Sequence, residues 1–408
     1  MIPRFKPSIG RAELAALLRP APGAVAEFER AFAARFEATE AVAFSYGRTA
    51  LWAFLKAHGL DDIEVVLPAY TCSVVAHAVT LSGNHCRFVD INLSDYNMRL
   101  DQVSEAMTER TRVVVATHLF GYPLAVDSLK AIVTDAERRF GHKVWVIQDC
   151  AHAFGARWQG RLVCNAGDTG LFGLNISKTI TSIFGGMLTF TDVAVAQRVR
   201  AWRDLNLNSP SHAKALQRRA YLVAAAAAFS DRGYAAVRWL QDETPLLDSL
   251  AKAYHRDELI HFPPDYADRM LDVEASVGLV QLGRYTDFEH RRQRHAGYYG
   301  EHLVAPEGWE LPPLIDGATY SHYAVRVPDR RGVARRFLAQ GVQLGEVIDY
   351  SVPDLKTYAG AGSGRFHNSL RCSQEVVNLP IHPDMTDEQL AVVAGAVRAE
   401  ARRKVESE

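Results

Sequence analysis

The sequence predicts an α/β protein with a largely parallel sheet sandwiched by helices, followed by a smaller α+β unit at the C-terminal end. Three observations carry this. Short β-rich runs alternate with helical patterns through the first half. The run Val144–Ile147 is apolar without alternation, as a strand buried on both faces requires. Past about residue 265 the alternation gives way to one strand, a helix and a long terminal helix.

The β-rich runs are Ala41–Ser45, Glu64–Leu67, Cys86–Asp90, Arg112–Thr117 and Lys143–Asp149. Helical patterns lie between them at Thr49–His58, Ser73–Ser82 and Ala125–Arg139. Strand–helix–strand repetition argues for a parallel sheet covered on both faces. Ligands bind such sheets outside the carboxyl ends of the strands, and Asp149 sits at such an end. From about Leu205 to Pro264 the chain is helical and alanine-rich, without strand signals. His322–Val327 then reads as a strand and Arg331–Gln340 as a helix. Thr386–Lys404 reads as a terminal helix with Thr386 as N-cap and an acidic first turn. Two domains follow: residues 1–265, with a helical insertion at about 205–264, and residues 266–408.

With 408 residues, 48% of them hydrophobic and 23% charged, the chain can bury a core of ordinary size. A net charge of −1 gives no field to draw in nucleic acid or an acidic membrane. Arg218–Arg219 and the cluster Arg291, Arg292, Arg294 read as solvated helix faces. The five cysteines form no C-x-x-C pair, which argues against a zinc ribbon or a thioredoxin-type site and fits a reducing cytoplasm. Met1–Pro20 lacks the continuous apolar run of a secretory signal. The most apolar stretch, Ala220–Phe229, is too short to span a bilayer, so no membrane association is expected. The aromatic residues of the insertion, Tyr221, Phe229, Tyr234 and Trp239, fit a buried helical pair or dimer contact better than a surface for a lipid-linked substrate. No P-loop, H-E-x-x-H, G-x-S-x-G or strand-following G-x-G-x-x-G motif is present.

Three segments carry chemistry together. In Ser45-Tyr46-Gly47-Arg48-Thr49-Ala50-Leu51 a strand ends, a glycine turns the chain and a helix begins. Backbone N–H groups at a helix start bind phosphate, although an ordinary strand–helix turn capped by Thr49 explains the same residues. In Gln148-Asp149-Cys150-Ala151-His152 a carboxylate ends a buried strand, which is costly unless a cation meets it. A protonated pyridine nitrogen is such a cation; capping of the next turn is the plainer alternative. His152 is read equally well as a group against a cofactor ring and as a structural histidine. The third segment runs from Ala166 to Lys178 and on to Gly185–Gly186, with Lys178 in a polar loop between two strand-like runs. A lysine near a cation in a dry pocket becomes a nucleophile for an aldehyde, whereas a lone loop lysine is normally solvated.

In their order, G-x-T-A-L, D-x-A-H-x-x-G-A and G-D-x-G-x-F…S-K…G-G, these segments resemble the sugar aminotransferases of the DegT/DnrJ/StrS type. The likeness extends to Leu67-Pro68-Ala69-Tyr70-Thr71, to His118-Leu119-Phe120-Gly121-Tyr122-Pro123 and, more faintly, to Leu379-Pro380-Ile381-His382-Pro383. It is dense over residues 25–200 and 265–390. The resemblance implies an aspartate-aminotransferase-like large domain and pyridoxal 5′-phosphate as a Schiff base on Lys178. It implies Asp149 on the pyridine nitrogen and His152 near the phenolic oxygen. The phosphate would lie on the turn of Gly47, Arg48, Thr49 and Ala50, with Ser177 nearby. It further implies a homodimer with the active site at its interface, glutamate as donor, and a keto-sugar, nucleotide-linked, as acceptor. Lys178 would move the proton between the two carbons that exchange the amine. A sugar 3-dehydratase and a non-catalytic regulator on the same fold are the alternatives; retention of Lys178 favours transfer over dehydration, and Lys178 with Asp149 argues against the regulator.

Departures from the family pattern are local. Cys72 stands where many members stack an aromatic ring on the cofactor, and Tyr70 is the candidate replacement. Gly173 stands where the family has a phosphate-binding serine, five residues before the lysine. The partner-chain asparagine is replaced within Tyr266-Ala267-Asp268-Arg269, leaving Arg269 as its substitute.

Overall fold

A computed structural model describes residues 1–230, 233, 259–358, 360 and 365–405. The strands are β1 (Glu40–Phe44), β2 (Glu64–Pro68), β3 (His85–Val89), β4 (Thr111–Thr117), β5 (Trp145–Asp149), β6 (Arg157–Trp158), β7 (Arg161–Leu162), β8 (Thr169–Gly173), β9 (Gly186–Phe190), β10 (Tyr323–Arg326) and β11 (Val376–Leu379). Seven of them form one sheet in the order β1-β9-β8-β5-β4-β2-β3. Neighbours from β3 through β8 pair in parallel, and β9 pairs antiparallel to both β8 and β1. Within this sheet β9 therefore runs against the rest.

The apolar runs explain the layering. Successive side chains of a strand point to opposite faces. Val65 and Leu67 of β2, Val113 and Val115 of β4 and Ile147 of β5 join one buried cluster with Leu51, Phe54 and Val75 of the helices Gly47–Ala57 and Ser73–Leu81. Their alternates Val66, Val114, Ala116 and Val146 join another, beneath Val103, Leu129 and Val133 of the helices Leu100–Ala106 and Val126–Phe140. At the β1–β9–β8 end, Ala41, Ala43, Phe172 and Met187 pack on Phe28, Phe32 and Phe36. Each fully buried side chain of this size contributes about 1.5–3 kcal/mol, so neither face of the sheet can be bared cheaply.

Beyond the sheet, a helix of 31 residues, Asp272–His302, runs between two cores. Ala275, Leu282 and Tyr285 pack with the Phe28–Phe32 cluster. Ala296, Tyr299 and Leu303 pack instead with β10, β11 and the terminal helix Asp387–Val405. Strands β10 and β11 form an antiparallel pair, Tyr323 opposite Leu379. Thr386 caps the terminal helix as expected: its Oγ1 accepts from the Gln389 amide at 3.3 Å, and its own amide donates to Gln389 Oε1 at 3.1 Å.

Two readings of the sequence need correction. The helix expected from Thr49 begins at Gly47, with Tyr46 as N-cap, so Thr49 lies inside the first turn. The arginines taken for solvated faces include Arg218 and Arg292, and both are buried. The reason is helical spacing: Arg292 shares a face with Tyr285, Phe288, His295 and Tyr299, all buried. Of the insertion, the described part is chiefly the helix His212–Ala228; Tyr234 and Trp239 lie outside the described residues. Among the described residues no helix is long and apolar enough to cross a membrane.

Arg218 ties that helix to the sheet. Its Nε donates to Glu274 at 2.9 Å, and its Nη2 donates to the Tyr46 hydroxyl at 2.8 Å and to Asp265 at 2.6 Å. Glu274 is fully buried. Burial pushes its carboxyl up and the Arg218 charge pulls it back. Removing one partner of a buried pair leaves an uncompensated charge. Arg218→Ala is expected to cost about 3–5 kcal/mol in a denaturant melt. Adding Glu274→Gln should recover part of that loss.

Candidate active site

The carboxyl ends of β5 and β8, the start of β9 and the turn after β1 converge on a cavity of about 400 Å³. Two glycines let them converge. A Cβ on Gly186 would lie 2.4 Å from the carbonyl carbon and oxygen of Tyr46 and 2.5 Å from the Gly47 nitrogen. A Cβ on Gly47 would lie 3.3 Å from the Gly173 Cα. Backbone therefore packs on backbone, and the first turn of the helix Gly47–Ala57 is pressed to the cavity wall, where Gly47 and Arg48 line it. Gly186→Ala is expected to displace this turn. The expected cost is about 1–3 kcal/mol of stability, with weaker retention of any phosphate held there, measured by melting temperature and ligand titration.

The Thr49 and Ala50 side chains do not line this cavity. The Thr49 hydroxyl donates instead to the Tyr266 carbonyl at 3.0 Å, which also accepts from the Ser45 hydroxyl at 3.2 Å. At Gly173 a Cβ would meet Lys178 Cε at 3.5 Å and Ala151 Cβ at 3.7 Å, ordinary contact distances. The glycine is therefore not a steric necessity toward the lysine.

Asp149 ends β5 between β4 and β8 and is buried. Its Oδ1 accepts from the Ala151 amide at 3.1 Å and its Oδ2 from the Thr117 hydroxyl at 3.4 Å. An ionised carboxylate has about four acceptor sites, so these two bonds leave it under-satisfied. Burial raises its pKa, against the pull of the Ala151 amide, the Lys178 charge and the Thr117 hydroxyl.

Lys178 lies in the loop between β8 and β9. Hydrogen bonds from the Leu174 amide to the Gly185 carbonyl (2.9 Å) and from the Ser182 amide to the Leu174 carbonyl (2.9 Å) close that loop. Ile180 and Ile183 anchor it by burial. The Asn175 side chain accepts from the Ser177 amide at 3.0 Å and hydroxyl at 2.6 Å, which holds the turn into Lys178. The lysine side chain is half-buried because the cavity opens above it, yet protein surrounds it closely. Burial lowers its pKa, opposed by Cys72 and Asp149. A less basic amine beside a carboxylate is suited to attack a carbonyl.

His152 is buried, with its Nδ1 lacking a partner. Its ring stacks on Phe120 (6.1 Å, 20°) and leans on His322 (4.9 Å). Phe120 is held at φ 58°, in the left-handed region that costs a non-glycine residue free energy. Burial, Lys178 and His322 all push His152 well below the ordinary histidine range. It is therefore a neutral ring at neutral pH.

Thus Lys178, Asp149, His152, Gly47, Arg48, Cys72 and Ser177 line one cavity. Tyr70 does not: it is fully buried, and its hydroxyl donates to the Ile348 carbonyl at 3.0 Å. Arg269 also lies outside the cavity of its own chain and donates to Ser209. Sequence reasoning missed Arg292, His322, Asn378 and His382, all on the cavity wall, and Arg4 and Phe5. The helical spacing of Arg292 was a usable signal. His322 offered none, since a lone histidine is as readily structural, and His382 stood only within a segment of faint family likeness.

The donor set fits pyridoxal phosphate: an amine made less basic by burial, an under-satisfied buried carboxylate, an unpartnered ring nitrogen and a helix start share one wall. A largely parallel sheet with a buried carboxylate at a strand end and a lysine in a neighbouring loop is an arrangement suited to a lysine-bound pyridoxal-phosphate cofactor. The DegT/DnrJ/EryC1/StrS aminotransferase family profile matches residues 22–398, and the chain belongs to that family. It is a pyridoxal-phosphate-dependent aminotransferase. The chain is 28% identical to "Spore coat polysaccharide biosynthesis protein SpsC" of Bacillus subtilis, over 92% of this chain and 88% of that one. It is 25% identical to GDP-perosamine synthase of Caulobacter vibrioides, covering 91% and 89%. Among solved structures, the aminotransferase TlmJ from Streptoalloteichus hindustanus superposes with a TM-score of 0.75 at 28% identity, covering 99% of this chain and all of that one. The sugar aminotransferase CalS13 from Micromonospora echinospora shares the fold, with a TM-score of 0.77 at 22% identity, over 98% and 100% of the two chains.

Proposed function

We propose that this aminotransferase moves an amino group from glutamate to a keto-sugar carried on a nucleotide, for cell-surface polysaccharide or amino-deoxysugar synthesis. The observation that carries the reading is that Lys178 and Asp149, which ends β5, line one cavity and influence each other's charge. Relatives named for spore coat polysaccharide biosynthesis and for perosamine synthesis support the substrate class.

Lys178 would hold the cofactor covalently through Nζ, Asp149 would hold the proton on the ring nitrogen, and His152 would lie against the ring or its phenolic oxygen. The amides of Gly47, Arg48, Thr49 and Ala50, with Ser177, would hold the phosphate; Thr49 and Ala50 can serve only through their backbone. Cys72 would cover the cofactor face, in place of an aromatic ring. When bound, pyridoxal phosphate supplies the carbonyl carbon that takes up the amine and a ring that withdraws electrons. Lys178 Nζ, once free, would carry the proton from the donor's Cα to the carbon on the far side of the shared nitrogen, two bonds away. Neutral His152 can donate or accept without adding charge.

Two copies would assemble, with Arg269 directed at the partner's site, in the cytoplasm. Each chain would divide at about residue 265 into a large and a small domain. Glutamate added to the loaded protein should bleach its visible band, and a panel of nucleotide keto-sugars should restore it with one equivalent of aminated sugar. No bleaching, or loss of a sugar hydroxyl without amine uptake, would overturn the reading. Sedimentation velocity tests the dimer.

A further inference from the structure

Arg292 is the most conspicuous charge on the cavity wall that the proposed chemistry leaves without a task. It is 7% exposed. Its Nη1 donates to the carbonyls of Ser321 at 2.9 Å and Ile381 at 3.4 Å, and its Nε has no partner. Among the described residues it forms no ion pair, and the carboxylate that influences it, Asp384, is exposed. A buried guanidinium without a carboxylate is costly. Here burial lowers its pKa to about 10.

Its surroundings repeat the pattern. His382 follows the Ile381 carbonyl that Arg292 engages; it is 3% exposed, and neither ring nitrogen has a partner. Asn378, also 3% exposed, has neither amide atom paired. Both line the same cavity as Lys178. Each unpaired buried group costs about 1–3 kcal/mol, so these atoms together describe a ligand. That ligand is anionic, because the one full charge is positive, and it is an acceptor, because the free groups are chiefly donors. A planar fork of N–H groups matches a carboxylate in shape.

The position gives the carboxylate its meaning. His322, pushed down to about 3, is depressed first by burial and then by the charges of Arg292 and Lys178. It therefore feels both cations. An α-amino acid that presents its nitrogen to the carbon held by Lys178 must place its carboxylate one carbon away. We propose that Arg292, flanked by His382 and Asn378, is the subsite for the carboxylate of the amino donor. The inference rests on the transamination reading and adds a specific donor anchor to it. The same groups accept the donor in one half-reaction and are vacated for the sugar in the next.

Glutarate, a dicarboxylate with no amine, is the probe. Titrated into the cofactor-loaded full chain, it should bind and compete with glutamate in bleaching the visible band. Arg292→Gln should weaken glutarate about 100-fold while the borohydride-sensitive band and cofactor content stay at wild-type levels. Arg292→Lys keeps the charge and a donor for the Ser321 carbonyl but loses the fork, and should weaken glutarate about tenfold. That variant carries the decision if the glutamine variant does not fold. Glutarate that ignores the lysine substitution, or wild type that bleaches with glutamate yet does not bind glutarate, would overturn the proposal. No sugar enters this measurement. If every keto-sugar fails as acceptor while glutarate still depends on Arg292, the sugar reading falls and the carboxylate subsite stands.

Discussion

Lys178→Ala is expected to remove the visible band of the loaded protein and to slow amino transfer by about 10⁴-fold, the upper range for losing a positioned proton carrier. The loss should be larger than for any other single substitution in the cavity, because one nitrogen has two tasks. It would hold the cofactor carbon and, once free, would move the proton. Stability should change little. Lys178 lies in a loop closed by its neighbours' backbone, and removing a buried amine relieves desolvation. The measurement is a spectrum before and after borohydride, paired with single-turnover transfer from glutamate. A variant that keeps the borohydride-sensitive band would place the covalent bond elsewhere.

Asp149→Asn is expected to slow transfer by about 10²–10³-fold, as for other losses of one electrostatic stabiliser. The amide occupies the same volume but cannot keep a proton on a ring nitrogen. Its effect on stability should change sign with the cofactor. Folding raises the Asp149 carboxyl above its ordinary value, chiefly by burial. A group raised in this way favours the fold below its unfolded pKa, and the contribution is lost as pH rises through the folded value. The buried Asp149 carboxyl therefore costs the cofactor-free wild type more at neutral than at acid pH. Cofactor-free Asp149→Asn should melt higher than wild type at pH 7, with the gap closing toward acid pH. With cofactor loaded the order should reverse, since only the carboxylate pairs with a pyridinium. Melting curves of both proteins, with and without cofactor, from pH 4 to 8 decide it. A variant less stable than wild type in both states would contradict the account.

Much of this was legible in the residues. Strands β1 to β5 were readable because β-branched and apolar runs alternate with helical periods, and the parallel sheet follows from that alternation. Lys178, Asp149 and His152 were readable because glycines and strand ends surround them in a fixed order. The cavity's second wall was not. Arg292, His322 and the segment holding Asn378 and His382 are far apart in sequence and meet only where the long helix packs on β10 and β11. Nothing local marks a residue whose neighbours are set by a helix crossing. Arg218 was misread for a related reason: its partner Glu274 lies 56 residues on, and a charged pair at that distance looks like two solvated groups. Tyr70, two residues past the end of β2, lies off the cavity wall because its ring is buried with its hydroxyl on the Ile348 carbonyl.

The helix Asp272–His302 belongs to two cores at once, and that has a mechanical consequence. Its 31 residues make a rod about 46 Å long, embedded at Tyr285 in one mass of side chains and at Tyr299 in another. A rod clamped at both ends has no soft joint in the middle, where Arg292 sits. The arginine is thus a fixed post. Whatever differences in length exist between a small amino acid and a bulky sugar must be absorbed by other parts of the cavity wall.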